Sequence, residues 1–434
     1  MNRHVKLRLV LFLAVLGGMA SLAGLRAKDP EPKADAAKGD SAPPANPMNP
    51  KPLSEEVKKG LVYLLGQQHT NGGWGQGGGW RTAGTAGKGG RIEGGNVEDP
   101  PDVANTCMAA MALLRAGNTP KEGEYAKNIV KAVEFIEAHV EKADKESLSI
   151  TDVKGTQVQS KIGPFVDTFL AAMVLAEVRG RMPDEKAEKR VLAALDKTVD
   201  KMERNQKADG SFTKDGWAPI VGQSLASAGL NRARQKGAKV SDEVLDRADK
   251  YARQNFDVKN GRFSADGTAG VPLYGAANNV AAGQQTVNRL VLAKPDLTKV
   301  VESKTATEAE KDKAHKELGR IASLEKAQVA AVGATVDQLQ DKRFVQGFGS
   351  NGGEEFLSYM NISETLLVKG GKEWETWDKE VTNNLNRIQN KDGSWSGQHC
   401  ITGRTFCTAS ALLVLMADRA SVPVAAKIQE KKGK

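Results

Sequence analysis

The chain has 434 residues, 40% of them apolar and 26% charged, the proportions of a globular protein with room for two domains or one large repeat architecture. Its 45 glycines against only 5% aromatics argue against a β-sandwich and for helices joined by glycine-rich turns. The net charge of +9 does not mark a nucleic-acid binder, because Arg3, Lys6, Arg8 and Arg26 at one terminus and Lys427, Lys431, Lys432 and Lys434 at the other supply most of the excess, and the remaining charges are mixed in sign along helices.

The first residues have the layout of a secretory signal peptide. Arg3, Lys6 and Arg8 form a basic start, an apolar run begins at Leu9, and small residues around Ala23 and Ala27 offer an exit. An uncleaved anchor is the alternative, but the apolar stretch of 16 residues falls short of the roughly 20 that a spanning helix needs. The expectation is a leader over 1–27 and an exported chain, periplasmic or secreted. Its removal lowers the net charge to about +5. No later stretch is long and apolar enough to span a membrane. Residues 28–50 are Pro, Ala, Lys and Asp with hardly a bulky apolar side chain, and read as a disordered linker.

From 51 to 420 the pattern is helical and repetitive. Gln206-Lys-Ala-Asp-Gly210-Ser-Phe212 and Gln389-Asn-Lys-Asp-Gly393-Ser-Trp395 match almost residue for residue, and Gln68-His-Thr-Asn-Gly72-Gly-Trp74 keeps the spacing. Gln254 to Phe263 is a looser copy, and Gln346 to Gly353 a decayed one. Helices before the turns, such as 184–205 and 240–255, carry one apolar stripe and many charges. Helices after them, such as 106–113, 168–175 and 408–415, are rich in Ala, Met and Leu nearly all round. The first kind predicts an outer layer and the second a buried one.

Six outer–inner pairs result: 53–66 with 102–117, 121–140 with 163–179, 184–205 with 217–236, 241–255 with 273–293, 308–341 with 354–370, and 373–388 with 404–419. An open solenoid would need polar capping repeats, and neither terminal inner helix is polar. The expected fold is therefore all-α, an (α/α)6 toroid, with 296–342 as a candidate inserted arm on the fifth pair. Residues 421–434 form a basic tail.

The Gln-x-x-x-Gly-x-Trp turn followed by a Thr-Ala-x-Ala-Leu helix resembles the repeat of squalene and oxidosqualene cyclases and of protein prenyltransferase β-subunits, over most of 53–420. The resemblance implies that Gln68, Gly72, Trp74, Gln206, Gly210, Phe212, Gln389, Gly393 and Trp395 are architecture, tying neighbouring hairpins together. It does not bring the family's chemistry. No Asp-x-Asp-Asp stretch exists to protonate an olefin, the length cannot hold a second ring domain, and the Asp-x-Cys element of the prenyltransferase zinc site is missing.

Candidate site residues lie in the segments entering the inner helices, which are expected to line a cavity at one end of the ring: Asp102, Asp167, Asp215, Glu354, Glu355, His399 and Arg404, with Trp80, Trp217, Tyr274 and Tyr359 nearby. Paired carboxylates beside aromatics suit glycan chemistry, whereas aspartates at helix starts are more often caps. Cys107, Cys400 and Cys407 suit a disulfide in an oxidising compartment. Together with His399 they are also a zinc-type donor set, so no cofactor is favoured and zinc is the weaker alternative. The glycine-rich loop 72–96 reads either as a flap over the cavity mouth or as a plain surface loop. The functional expectation is an exported binding or interaction toroid for an apolar or glycan ligand, or for a protein partner at the cavity mouth. The alternatives are a divergent cyclase acting on an isoprenoid and a carbohydrate-active (α/α)6 enzyme.

Overall fold

A computed structural model describes residues 50–81, 90–92, 99–341, 344–345 and 352–420, all within one compact unit. The leader, nearly all of the linker, the basic tail, most of the glycine-rich loop's second half and most of the decayed turn at 346–353 lie outside the described residues. Among the described residues no helix is long and apolar enough to cross a membrane.

In chain order the elements are α1 (Glu55–Gly66), a short hairpin of β1 (Gly79–Arg81) with β2 (Gly90–Ile92), α2 (Val103–Arg115), α3 (Ala126–Lys142), α4 (Gln157–Ile162) and α5 (Val166–Val178). Then come α6 (Glu185–Asn205), α7 (Pro219–Gln235), α8 (Asp242–Gln254), a hairpin of β3 (Phe256–Asp257) with β4 (Arg262–Phe263), and α9 (Pro272–Val291). The chain finishes with α10 (Lys294–Glu302), α11 (Glu308–Gln340), α12 (Gly353–Lys369), α13 (Gly371–Ile388) and α14 (Arg404–Leu415).

The inner helices close a ring. α2 packs on α5, α5 on α7, α7 on α9, α9 on α12, α12 on α14, and α14 returns to α2. α1, α3, α6, α8, α11 and α13 pack outside them. The sequence pattern explains the division. α5 is apolar round its whole circumference and buries Val166 through Ala176, so it has to sit inside. α6 buries one stripe, including Ala187, Val191, Leu195, Val199 and Met202, and most of its charged residues stay in water. The segment 296–342 forms α10 and α11. α11 packs on α9, and there Leu290, Ile321 and Leu324 make a small second core.

The repeated turn works the same way three times. The Gln68 amide donates to the Gly72 carbonyl at 2.9 Å and to the Asn128 carbonyl in the first turn of α3 at 3.0 Å. Gln206 donates to Gly210 and, at 3.1 Å, to Val244 in α8. Gln389 donates to Gly393 and to Glu56 in α1, both at 2.9 Å, so the last hairpin is tied to the first. Each glutamine thus fills carbonyls of its own turn and of the next outer helix. The indole N–H of Trp74 reaches back to Leu64 and that of Trp395 to Leu385. Their backbone N–H groups donate to Thr106 and Thr408, the threonines that open the following helical motif. At Gly393, φ is +85° and a Cβ would stand 2.6 Å from the Lys59 carbonyl, so both conformation and space require glycine. The looser copy after Gln254 has become the β3–β4 hairpin, closed by Phe256 against Phe263.

Candidate functional site

The N-terminal ends of the inner helices gather most of the residues picked from sequence. Asp102 caps α2, accepting from the Asn105 backbone at 2.8 Å and from its amide at 2.7 Å. Asp167, in the first turn of α5, accepts from the Ala104 backbone in α2 at 3.0 Å and from Gln159 at 2.8 Å. The two carboxylates therefore join neighbouring inner helices. Burial, followed by the charge of Asp167, pushes Asp102 up to about 7, and burial also raises Asp167. Asp215 lies apart from them, exposed in a loop and bonded to Thr213. Arg404 is paired with Asp392.

Further round the same end, Glu354 and Glu355 are buried at the start of α12. One Glu354 oxygen accepts from the Ile401 backbone at 3.2 Å, and the other is buried without a hydrogen-bond partner. Burial raises the Glu354 carboxyl above the ordinary range. Glu355 accepts from the Tyr359 hydroxyl at 2.6 Å. The segment 397–403 packs over them. Gly353 donates to the Ile401 carbonyl, and the Thr402 backbone donates to Gln157. Cys400 adopts a left-handed φ of +59° in this segment, with its sulfur 2.8 Å from His399 Nδ1. Burial and the neighbouring Glu354 push its thiol up to about 12, so it is not an activated nucleophile. His399 is exposed and faces the half-exposed ring of Trp217, above which stands the Lys161 ammonium.

The disulfide that the three cysteines suggested is not formed. Cys107, Cys400 and Cys407 are free and buried, with Cys107 on α2 and Cys407 on the adjoining α14. Among the described residues, no three His, Cys, Asp or Glu side chains converge as a metal ion would require.

A cavity opens at the other end of the ring from these candidates. Asp102, Asp167, Asp215, Glu354, Glu355, His399 and Arg404 are not among its walls. It lies among the C-terminal halves of α2, α5, α7, α9 and α12 and has a volume of about 510 Å3. That size falls within the range of small-molecule sites. Met111, Met173, Leu225 and Met360 supply apolar wall, and Asn288, Gln284, Asn361 and Thr365 supply polar wall. No aromatic side chain among the described residues lines it. Glu364 of α12 is set between two arginines, 2.5 Å from Arg115 of α2 and 3.5 Å from Arg232 of α7. Burial raises the Glu364 pKa, but the two guanidinium charges outweigh that and hold it below the ordinary value. Glu177, the other lining carboxylate, pairs with Arg181 at 3.2 Å.

Sequence reasoning missed this end because it followed loops and helix starts. A signal was present: Arg115, Arg232 and Glu364 are charges near the ends of helices that are otherwise buried. A charge retained on such a face needs a partner or a ligand.

The sequence matches no protein-family model and no curated protein. Among solved structures, an inactive variant of an alpha-1,6-mannanase from Salegentibacter sp., in complex with alpha-1,6-mannotriose, is similar at a TM-score of 0.50 and 10% identity. The match covers 84% of this chain and 98% of that one. A variant of a type II terpene cyclase from Scytonema, in complex with geranylgeranyl dihydroxybenzoate, gives a TM-score of 0.46 at 12% identity, covering 84% of this chain and 96% of that one. At these identities the likeness to the mannanase is one of fold, the ring of helical hairpins that the repeats predict.

Proposed function

We propose that this chain is an exported binding toroid that holds a small molecule in the cavity at the C-terminal end of its inner helices and does no carbocation chemistry there. One observation carries the reading: the carboxylates lining the cavity are each bound to arginine. Protonating an olefin or a leaving group takes a carboxyl that keeps its proton near neutral pH. Glu364 is held in the opposite state by Arg115 and Arg232. A carbocation would also call for aromatic faces around it, and the described wall supplies aliphatic and amide groups instead. Export rests on the basic–apolar–small layout of the first 27 residues.

A second reading is supported by Glu354. A buried carboxyl with a raised pKa and one oxygen outside any hydrogen bond, beside Tyr274, has the character of a general acid for a glycan at the opposite end.

The test is a thermal-shift screen of small molecules on the wild type and on Ala228→Phe, which projects a ring into the cavity, combined with product analysis after incubation with alpha-1,6-mannotriose. The binding reading expects stabilising ligands whose effect is lost in Ala228→Phe, and unchanged trisaccharide. Cleavage of the trisaccharide that disappears in Glu354→Gln would replace it with the second reading.

A further inference from the structure

The α7 wall of the cavity presents hydrogen-bond donors that the protein does not fill. Arg232 offers a five-donor guanidinium fork, and its ion pair with Glu364 is long, at 3.5 Å. Arg115 makes the short contact to Glu364 and also reaches the Leu413 carbonyl at 3.3 Å, so it is occupied by the fold. Gln235 lies three residues after Arg232 on the same face of α7, and its amide nitrogen is buried without an acceptor. A buried donor without an acceptor is destabilising, and a ligand oxygen would satisfy it.

Charge points the same way. The cations lining the cavity are Arg115, Arg181, Arg232, Lys236 and Arg419, and the carboxylates are Glu177 and Glu364. The C-terminal dipoles of five inner helices also converge here and account for some of those cations. They do not account for Gln235, which is neutral, lines the same cavity and has an amide nitrogen without an acceptor. Opposite it, on α9 and α12, Gln284 is bonded to Asn288, and Asn361 to Asn278, at 2.8 and 2.9 Å. That is a fixed amide surface suited to hydroxyl groups.

We propose, resting on the binding reading above, that the cavity ligand is a small hydroxylated oxyanion, a sugar acid or a sugar phosphate. Arg232 and Gln235 receive its acidic oxygens, and its hydroxyls face Gln284, Asn288 and Asn361. Charge-assisted contacts to the guanidinium give the affinity, and the amides select a polyhydroxylated body over a hydrocarbon one.

Isothermal titration of the full chain with glucose 6-phosphate, galacturonate, glucose and geranylgeraniol tests this. The expected result is saturable binding of one or both anions, at least about tenfold tighter than glucose, and none of geranylgeraniol. The two anions tell a phosphate from a carboxylate ligand. Arg232→Gln should weaken anion binding about tenfold or more while Arg115 still holds Glu364. Gln235→Leu should weaken it several-fold without lowering the melting temperature, because it removes an unpaired donor. Glucose or geranylgeraniol binding as tightly as the anions, with the effect lost in Ala228→Phe, would overturn the ligand class and leave the cavity reading standing. Anion binding unchanged in both α7 variants would overturn the assignment of Arg232 and Gln235. Absence of binding by every probe, in the wild type as in Ala228→Phe, would remove both readings.

Discussion

Asp102 shows how a single side chain can join architecture to titration. Its carboxylate caps α2, and burial together with Asp167 raises its pKa from 3.8 to about 7. Below pH 3.8 both folded and unfolded chains hold this proton. Between that value and about 7 the unfolded chain releases it while the folded chain keeps it, so the contribution of Asp102 to stability falls as pH rises through the window and levels above it. Asn105 has a buried carbonyl oxygen without a partner, which can turn to accept from an asparagine at position 102. Asp102→Asn therefore keeps the cap and removes the proton linkage. Urea titrations at pH 4 and pH 7.5 should show the wild type losing stability relative to Asp102→Asn by an amount of order 4 kcal/mol. Equal pH dependence in the two proteins would mean that Asp102 ionises normally. The helix-start position made the cap legible in the sequence. The coupling to Asp167 was not, because it depends on two helices that only the ring brings together.

At the scale of elements, the turn is the feature most fully readable from the chain. Glutamine, glycine and aromatic recur at fixed spacing because each has a separate duty: filling carbonyls, fitting a left-handed turn beneath another backbone, and anchoring to the preceding helix. The duty of Gly393 can be separated from mere backbone freedom. Gly393→Ala meets both a positive φ and the Lys59 carbonyl, whereas Gly180→Ala meets a φ of +81° with nothing within 4 Å. Denaturant unfolding should place the first at about 3 kcal/mol or more and the second at about 1 kcal/mol. Similar losses would show that the close approach between the last turn and α1 does not contribute. The copy after Gln254 marks where the pattern stops being a guide. There the glycine and aromatic arrive late, and the same length of chain pairs as a two-stranded hairpin.

For the whole molecule, the six pairs and the closed ring were legible because helix burial leaves a compositional mark: apolar all round inside, one stripe outside. The position of this cavity was not. Helix starts and loops draw attention to Asp102, Glu354, His399 and Cys400, whereas the cavity is built from the far ends of the same helices, where single charges stand on buried faces. No cysteine bond staples the ring. Closure comes from α14 on α2 and from the Gln389 bridge to Glu56. The central claim, that the ring works as a binding toroid through its C-terminal-end cavity, is tested most directly by a crystal structure of the full chain soaked with glucose 6-phosphate and alpha-1,6-mannotriose. The account predicts ligand density between α7, α9 and α12, against Arg232 and Gln235. Density among Glu354, Trp217 and His399 at the opposite end, with the cavity unchanged, would contradict it.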